Sequence, residues 1–364
     1  MLRSISGIEI HEAGSAEDAI GFFFYGEELP ERPLELEIEP LGNIGRYGGE
    51  RVPEMGRIVD ALIRSEKAEI ARIGDAEVRE YFEEKAAQHE EIYGMGYDYA
   101  AANGAFLTQI MASAIAEVNE PDLERKKREV ELCLGSLDMP EATLSNYEWV
   151  MGGEAREMRA KSNYEKYSEM EPETKDEKYL LVYQLGYSKA WCDAAAAMYS
   201  IETGGDEVGA EKLKEIADSL LNYTDDYGSW EEYAETGRIL YREGKYAGAV
   251  YELAFAKSMV EGDRLMEEDE SGEGCPGIEN AAGNSVWGRV FRGHAKYMEE
   301  TGSRTDACRM AVFANEMDGI SEKISGVRLE RDEPELPEDN ICMPAFAVLG
   351  MCCAALFAGE VLKN

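Results

Sequence analysis

The imidazole groups are the first candidates for chemistry, because histidine binds metals and transfers protons near neutral pH. The chain has three, His11, His89 and His294, and they share no HExxH or similar spacing. One helix therefore cannot bring two of them to a zinc ion, and only folding could make them converge. A GxSxG elbow, a P-loop and a dinucleotide fingerprint are also missing from the sequence. We predict no catalytic residue, no cofactor and no metal.

Acidic clusters are the second group of candidates. The pair Asp225-Asp226 could bind a cation, but a turn with an aspartate cap for the next helix is the preferred interpretation. The run 267–273 lacks an acidic residue at the last ligand position of a calcium loop and predicts a solvated loop. The segment 83–91 lacks the Glu-x-x-His motif of di-iron proteins, so that site is rejected.

Tyrosine is frequent, with 20 residues, and one set has helical spacing. Tyr179, Tyr183 and Tyr187 follow each other at four-residue steps, which places them on one face of a helix. Such a stripe can line a groove that binds a peptide. It can equally be half-buried packing within a stack of helices. We take these three tyrosines as candidate partner-binding residues and leave both alternatives open.

The strongest local pattern lies at residues 230–256. Apolar side chains recur at three- and four-residue steps on both sides of Gly244. Glycine reaches positive φ without steric cost, so Gly244 predicts the end of one helix and a tight turn. Gly237 and Ala249 are small where the two helices would cross. The segment therefore predicts two short antiparallel helices in close contact.

The order of residues in this segment resembles a tetratricopeptide repeat. The match covers about one 34-residue unit, and weaker echoes begin at Gly205 and Gly302. Leu240 and Leu253 stand where the family more often has aromatic residues, and the expected proline after the second helix is absent. The resemblance implies stacked hairpins whose concave face binds a peptide or helix, whereas the alternative is an irregular helical bundle. The residues that carry the match are Gly237, Tyr241, Gly244, Tyr246, Ala249 and Ala256.

Charge and composition limit the classes of partner. The chain has 364 residues, of which 44% are hydrophobic, so it can bury a large core. Its net charge of −38 repels phosphate backbones and anionic membrane surfaces, so neither nucleic acid nor a membrane is predicted as a partner. The acidity is typical of a solvated surface and of a thermophile or halophile. It could also form a docking face for a basic partner.

The cysteines suggest a reducing compartment. Their number is odd, the chain is long and no CxxC pair occurs, which predicts reduced thiols in a cytoplasmic protein. Residues 1–14 lack the apolar segment of a signal peptide. The seven cysteines are Cys133, Cys192, Cys275, Cys308, Cys342, Cys352 and Cys353.

Three regions follow from the patterning. Residues 1–55 contain two stretches of alternating apolar and polar residues and predict an arm or small β element. Residues 56–167 predict a helical region, and the polar segment 168–176 is the best internal boundary. Residues 177–364 predict the helical-hairpin region. Its uncharged segment 341–359 is interpreted as a buried closing helix, because the part after Pro344 is too short to span a bilayer comfortably.

These observations predict an all-α fold of stacked antiparallel hairpins with a small β or extended N-terminal element. We expect a non-catalytic scaffold that binds a protein or peptide, with a basic partner and a homo-oligomer as options. The alternative is an enzyme or small-molecule binder that uses an acidic pocket in a helical bundle.

Overall fold

The computed structural model describes residues 38, 41–42, 44–49, 51–117, 121–201, 204–223, 225–268, 275 and 285–326. These residues form helices and no named strand, which confirms the all-α prediction for this part of the chain. The predicted closing helix at 341–359 and most of the predicted β element lie outside it. The helices are α1 Pro53–Ile70, α2 Ala76–Gly94, α3 Asp98–Ala116, α4 Leu123–Ser136, α5 Tyr147–Ser168, α6 Lys175–Tyr199, α7 Ala210–Leu221, α8 Glu231–Arg242, α9 Tyr246–Glu268, α10 Val286–Glu300 and α11 Arg304–Ser325.

Local sequence signals explain where several helices begin. Pro53 occupies the first turn of α1, where its missing N–H costs nothing. The Asp75 carboxylate accepts two backbone hydrogen bonds at the start of α2. Thr174 and Glu177 form a capping box at the start of α6. These caps satisfy backbone N–H groups that have no partner within their own helix.

Six helices close a ring around the main core. In order around the ring they are α3, α6, α5, α9, α11 and α10, and each contacts the next, with α10 returning to α3. Helices α1 and α2 pack on α3, α4 packs on α5 and α6, and α7 and α8 pack on α9. Large aromatic side chains fill the ring, among them Trp149, Trp287, Phe291 and Phe313. Each of the six helices of the ring therefore has one face toward a shared interior.

Helices α8 and α9 form the hairpin that the sequence predicts. Gly244 has φ +78° and ends the first helix. A Cβ on Gly237 would lie 2.7 Å from Leu253 Cγ, so the helices approach too closely for a larger residue. The rings of Tyr241 and Tyr246 pack edge-on across the turn, with centroids 5.4 Å apart. Ala249 and Ala256 are fully buried on α9.

The contacts between helices do not establish a regular superhelix of hairpins. Helix α9 belongs to the ring, whereas its hairpin partner α8 packs outside the ring. The tetratricopeptide resemblance therefore stays a prediction. The division into 1–55, 56–167 and 177–364 also stays a prediction, although α5 and α6 pack side by side across the segment that separates the last two regions.

The prediction of reduced thiols is wrong for four cysteines. Cys133 of α4 is bonded to Cys192 of α6, and Cys275 is bonded to Cys308 of α11. The first pair is 59 residues apart in sequence, and only the packing of α4 against α6 brings it together. The cytoplasmic location rested on reduced thiols and stays a prediction. Within the described residues, every helix is too short or too polar to cross a membrane.

Candidate functional site

Two arginines of α5 point into the ring. Arg156 and Arg159 are three residues apart and share a helix face. Two preceding glycines let neighbouring side chains approach the α5 backbone. A Cβ on Gly152 would lie 2.4 Å from the Trp287 ring, and one on Gly153 would lie 2.3 Å from the Tyr199 ring. The glycine pair thus lets Trp287 and Tyr199 pack closely on α5 beside these arginines, of which Arg156 is buried and Arg159 is half-buried.

Arg159 has a carboxylate partner. Its Nε donates to Glu252 Oε1 at 3.0 Å, and a terminal nitrogen donates to the other carboxylate oxygen. Its guanidinium also lies 4.3 Å from the centroid of the Tyr233 ring. Glu252 is fully buried, so this bidentate pair neutralises two charges that would be costly alone.

Arg156 has no such carboxylate among the described residues. It is only 6% exposed, and it donates to Gly152 O at 3.0 Å and to Tyr251 Oη at 3.3 Å. Its guanidinium lies over the rings of Trp287 and Tyr251, 5.3 and 5.2 Å from their centroids. Burial opposes the charge, but the nearby tyrosine hydroxyls and Glu252 outweigh it and raise the pKa of Arg156. The group is therefore a buried, charged donor.

Trp191 adds a donor that has no acceptor. Its indole Nε1 is buried and has no hydrogen-bond partner. The ring lies 5.9 Å from the Arg156 guanidinium and 5.7 Å from that of Arg159. We name this set of side chains the arginine–aromatic cluster: Arg156, Arg159, Tyr187, Trp191, Tyr233, Tyr251, Glu252 and Trp287. Its two guanidinium groups and one carboxylate leave one positive charge in excess.

The predicted tyrosine stripe reaches this cluster at one end. Tyr187 packs against Trp191 and Phe106, with ring centroids 5.7 and 6.1 Å away. Tyr179, Tyr183 and Tyr187 are all half-buried. Burial, followed by the neighbouring tyrosine, raises the pKa of both Tyr179 and Tyr183. The three tyrosines therefore share helix α6, and a role in partner binding stays a prediction.

Sequence reasoning missed Arg156, Arg159 and Trp191. A charged residue on a helix is usually exposed, so two arginines in an acidic chain did not stand out. One signal was available, because the segment 149–155 before them is rich in apolar and small residues. An arginine pair that follows such a stretch is a candidate for a buried cation.

Two buried glutamates of α5 serve as caps for other helices. Glu148 Oε2 accepts from Trp287 N at 2.9 Å at the start of α10. Glu154 Oε2 accepts from Gly248 N at 2.6 Å in the first turn of α9. Burial raises the pKa of each carboxyl to about 7, against the lowering effect of these hydrogen bonds. Their contacts assign them a structural role.

An acidic pocket in the helical bundle stays a prediction, and the imidazole of His294 lies among aromatic side chains. That imidazole is buried beside Tyr99 and Tyr297, and burial lowers its pKa to about 4. Among the described side chains, no group of three histidine, cysteine, aspartate or glutamate residues could hold a metal ion. Comparison of the chain with family models, curated proteins and solved structures gives no significant match.

Proposed function

We propose that the chain binds a small anionic ligand at the arginine–aromatic cluster. The observation that carries this proposal is the buried guanidinium of Arg156, which has no carboxylate partner among the described residues. The charge of Arg156 is favoured by nearby tyrosine hydroxyls and by Glu252, but no anion pairs with it directly, and an oxyanion would supply that partner. Guanidinium groups match carboxylate and phosphate oxygens in geometry, so the ligand carries one of these groups.

The surroundings of Arg156 suit a flat apolar body attached to that anion. Trp191, Tyr187 and Tyr233 are each half-buried, so they line the cluster and still reach solvent. Aromatic walls with few placed polar groups are typical of small-molecule sites. The carboxylate at the cluster, Glu252, is already held by Arg159. This arrangement supports binding and leaves no free general base at the cluster.

Isothermal titration calorimetry with benzoate, phenyl phosphate, acetate and inorganic phosphate tests the proposal. We expect saturable binding of the two aromatic anions, with quenching of tryptophan fluorescence. Arg156→Met should weaken that binding at least tenfold, since the pair of an oxyanion with a guanidinium is lost. Arg242→Met is the matched control, because Arg242 is exposed on α8 and pairs only with Glu235 at the surface.

The stability of the same variants shows whether a loss of binding is due to loss of the site or to unfolding of the protein. Arg156→Met loses hydrogen bonds to Gly152 O and Tyr251 Oη, so its free energy of unfolding should fall by about 1–3 kcal/mol, and the variant should stay folded. Wild-type protein that binds none of the four anions, or an Arg156→Met variant that binds them as wild type does, overturns the proposal.

A protein-binding scaffold is a second candidate, because apolar side chains are exposed on the neighbouring helices α3 and α6. Leu107 and Met111 lie one turn apart on α3 and are 47% and 43% exposed. Helix α3 contacts α6, whose Leu180 is also exposed. The net charge of −38 favours a basic amphipathic helix as the partner.

Fluorescence anisotropy with a labelled helical peptide of lysine and leucine tests the scaffold. Binding should be lost in the double variant Leu107→Asp, Met111→Asp and kept in Leu132→Asp, which alters an exposed leucine on α4. Equal loss in both variants would indicate adhesion to the acidic surface in general and would reject this site.

A further inference from the structure

A cavity of about 360 Å³ lies where the start of α5, the start of α10 and the end of α11 meet. Its volume falls within the range of small-molecule sites. Leu144 and Ser145 line it and are exposed, whereas Tyr147 and Glu148 line it and are buried. The cavity therefore leads from solvent toward the interior, and it shares no residue with the arginine–aromatic cluster.

The described lining carries negative charge and no positive charge. Glu148 and Glu322 both line the cavity, and among the described residues no lysine, arginine or histidine does so. Asp318 of α11 lies near enough to Glu148 to oppose its ionisation, although Asp318 is itself paired with Arg292 of α10. The net charge of −38 adds to this negative potential. The cavity therefore attracts a cation.

Glu148 is the buried carboxyl of this lining. It is 6% exposed, it forms no salt bridge with a described residue, and its Oε2 accepts from Trp287 N. Backbone N–H groups at the start of α10 favour the ionised carboxylate. Burial outweighs them and raises the pKa of Glu148 to about 7. The capping contact thus leaves part of the charge uncompensated, and a cationic group in the cavity would compensate the rest.

The rest of the lining combines apolar surface with hydroxyl acceptors. Leu144 and Val286 supply apolar side chains. Tyr147 Oη donates to Ser321 Oγ at 2.8 Å, and Ser145 Oγ donates to a backbone carbonyl. Each serine oxygen has two lone pairs, so it can accept a further hydrogen bond from a ligand. A ligand that fits has an apolar body and a cationic group with N–H donors.

We infer that this cavity binds a small organic cation of the amidinium or guanidinium class with an apolar body. The planar cation offsets the charge of Glu148, and its N–H groups donate to the serine hydroxyls. Binding favours the ionised carboxylate, so the ligand releases a proton from Glu148 wherever that carboxyl is protonated. The site does not depend on the anion binding proposed for the arginine–aromatic cluster.

Isothermal titration calorimetry with benzamidine hydrochloride at pH 5 and pH 8 tests this inference. Benzamide is the matched probe, because it has the same shape and no charge, and sodium chloride controls for ionic strength. We expect saturable binding of benzamidine only, about fivefold or more tighter at pH 8 than at pH 5. Equal binding of benzamide, or an affinity for benzamidine that is the same at both pH values, overturns the inference.

Two glutamate variants locate the site. Glu148→Gln keeps an oxygen that can accept from Trp287 N and removes the charge, so benzamidine binding at pH 8 should weaken by about tenfold or more. Glu154→Gln is the matched control, because Glu154 is a buried cap on the same helix, also has a pKa of about 7 and does not line the cavity. Equal weakening in both variants, or unchanged binding in Glu148→Gln, contradicts the site.

A third variant fills the cavity without a change of charge. Ser321→Met places a larger side chain in the lining and should weaken benzamidine binding. Ser229→Met, at an exposed serine just before α8, should bind as wild type does. Thermal unfolding shows whether each variant is folded, and a folded Ser321→Met variant with unchanged affinity counts against the cavity as the site.

The cavity and the arginine–aromatic cluster fail separately. Arg156→Met should keep benzamidine binding, and Glu148→Gln should keep benzoate binding. Wild-type protein that shows no saturable binding of benzamidine at pH 8 overturns the inference about the cavity and leaves the arginine–aromatic cluster unaffected.

Discussion

On one face of α6, Tyr187 and Trp191 belong to the arginine–aromatic cluster. On another face, Gly186 and Lys189 border a polar cavity of about 160 Å³ between α1, α3, α4 and α6. The first interior has donors in excess, because Trp191 Nε1 is unmatched and Arg156 has no described carboxylate partner. In the second, the lining carboxylates are each paired with a lysine or an arginine, and the unmatched atom is an acceptor, Gln109 Oε1. A net charge of −38 therefore does not decide the sign of an interior site. The few buried groups that lack partners decide it.

The largest expected effect is from Glu252→Gln, which breaks the only close ion pair described at the cluster. It leaves both guanidinium groups without a carboxylate, so we expect the free energy of unfolding to fall by about 3–5 kcal/mol. The same change should increase affinity for benzoate, because the excess positive charge grows. Urea denaturation and calorimetry measure the two effects.

The control for that variant is Glu243→Gln. Glu243 lies 4.0 Å from Lys161 in a solvent-exposed pair, which should contribute less than about 1 kcal/mol. Equal losses in both variants would show that the cluster is no more sensitive than the surface.

The next largest effect on stability comes from the disulfide beside the polar cavity. The Cys133–Cys192 disulfide ties α4 to α6, and Cys192 precedes Asp193 of the lining. Replacing both cysteines with serine should lower the free energy of unfolding by about 2–4 kcal/mol, because a 59-residue separation is no longer cross-linked. It should leave benzoate binding unchanged, as calorimetry can show. Weakened benzoate binding would mean that the two interiors do not respond separately.

The pH dependence of stability tests the buried glutamate caps separately from the arginine–aromatic cluster and the polar cavity. Burial raises the pKa of Glu154 to about 7, so the folded chain keeps a proton that the unfolded chain releases near pH 4.5. The unfolded state binds fewer protons between these values, and stability falls as pH rises from 4.5 to 7. Glu154→Gln should be more stable than wild type at pH 8, by about 2 kcal/mol, because an amide has no charge to bury.

Urea denaturation at pH 5 and pH 8 measures that difference, which should nearly vanish at pH 5. Glu157→Gln, at a partly exposed glutamate that pairs with Lys245, should not gain stability at pH 8. A gain of Glu154→Gln that is equal at both pH values would contradict the proton linkage.

The smallest effect comes from the orphan acceptor itself. Without ligand, Gln109→Met should raise the free energy of unfolding by about 1 kcal/mol, since an unsatisfied buried oxygen is removed. The control Gln184→Met should stay within about 0.5 kcal/mol of wild type. Thermal unfolding in ligand-free buffer makes the comparison, and a destabilised Gln109→Met would mean that water already satisfies the oxygen.

The parts of the fold that sequence predicts are those governed by neighbouring residues. The turn at Gly244, the close approach at Gly237 and the proline that starts α1 depend on local φ and side-chain size. Helical spacing also placed Tyr183 and Tyr187 on one face. It could not tell which way that face points, because the direction depends on the helices packed against it.

The interior sites depend on contacts between residues far apart in sequence. Arg159 and Glu252 are 93 residues apart, and the Cys133–Cys192 pair is 59 residues apart. Neither separation follows the periodicity of a helix or a strand. The sequence alone also does not distinguish a buried arginine from an exposed one. The contact between α10 and α3, which closes the ring, cannot be predicted from the sequence for the same reason.

Closure of the ring has a consequence during synthesis. Helix α3 ends at residue 116, and its neighbour α10 begins only at residue 286. At ordinary rates of translation the ribosome needs on the order of ten seconds or more to add the residues between them. For that interval the emerging chain shows an uncovered aromatic surface, which a chaperone can recognise and a second nascent chain can invade.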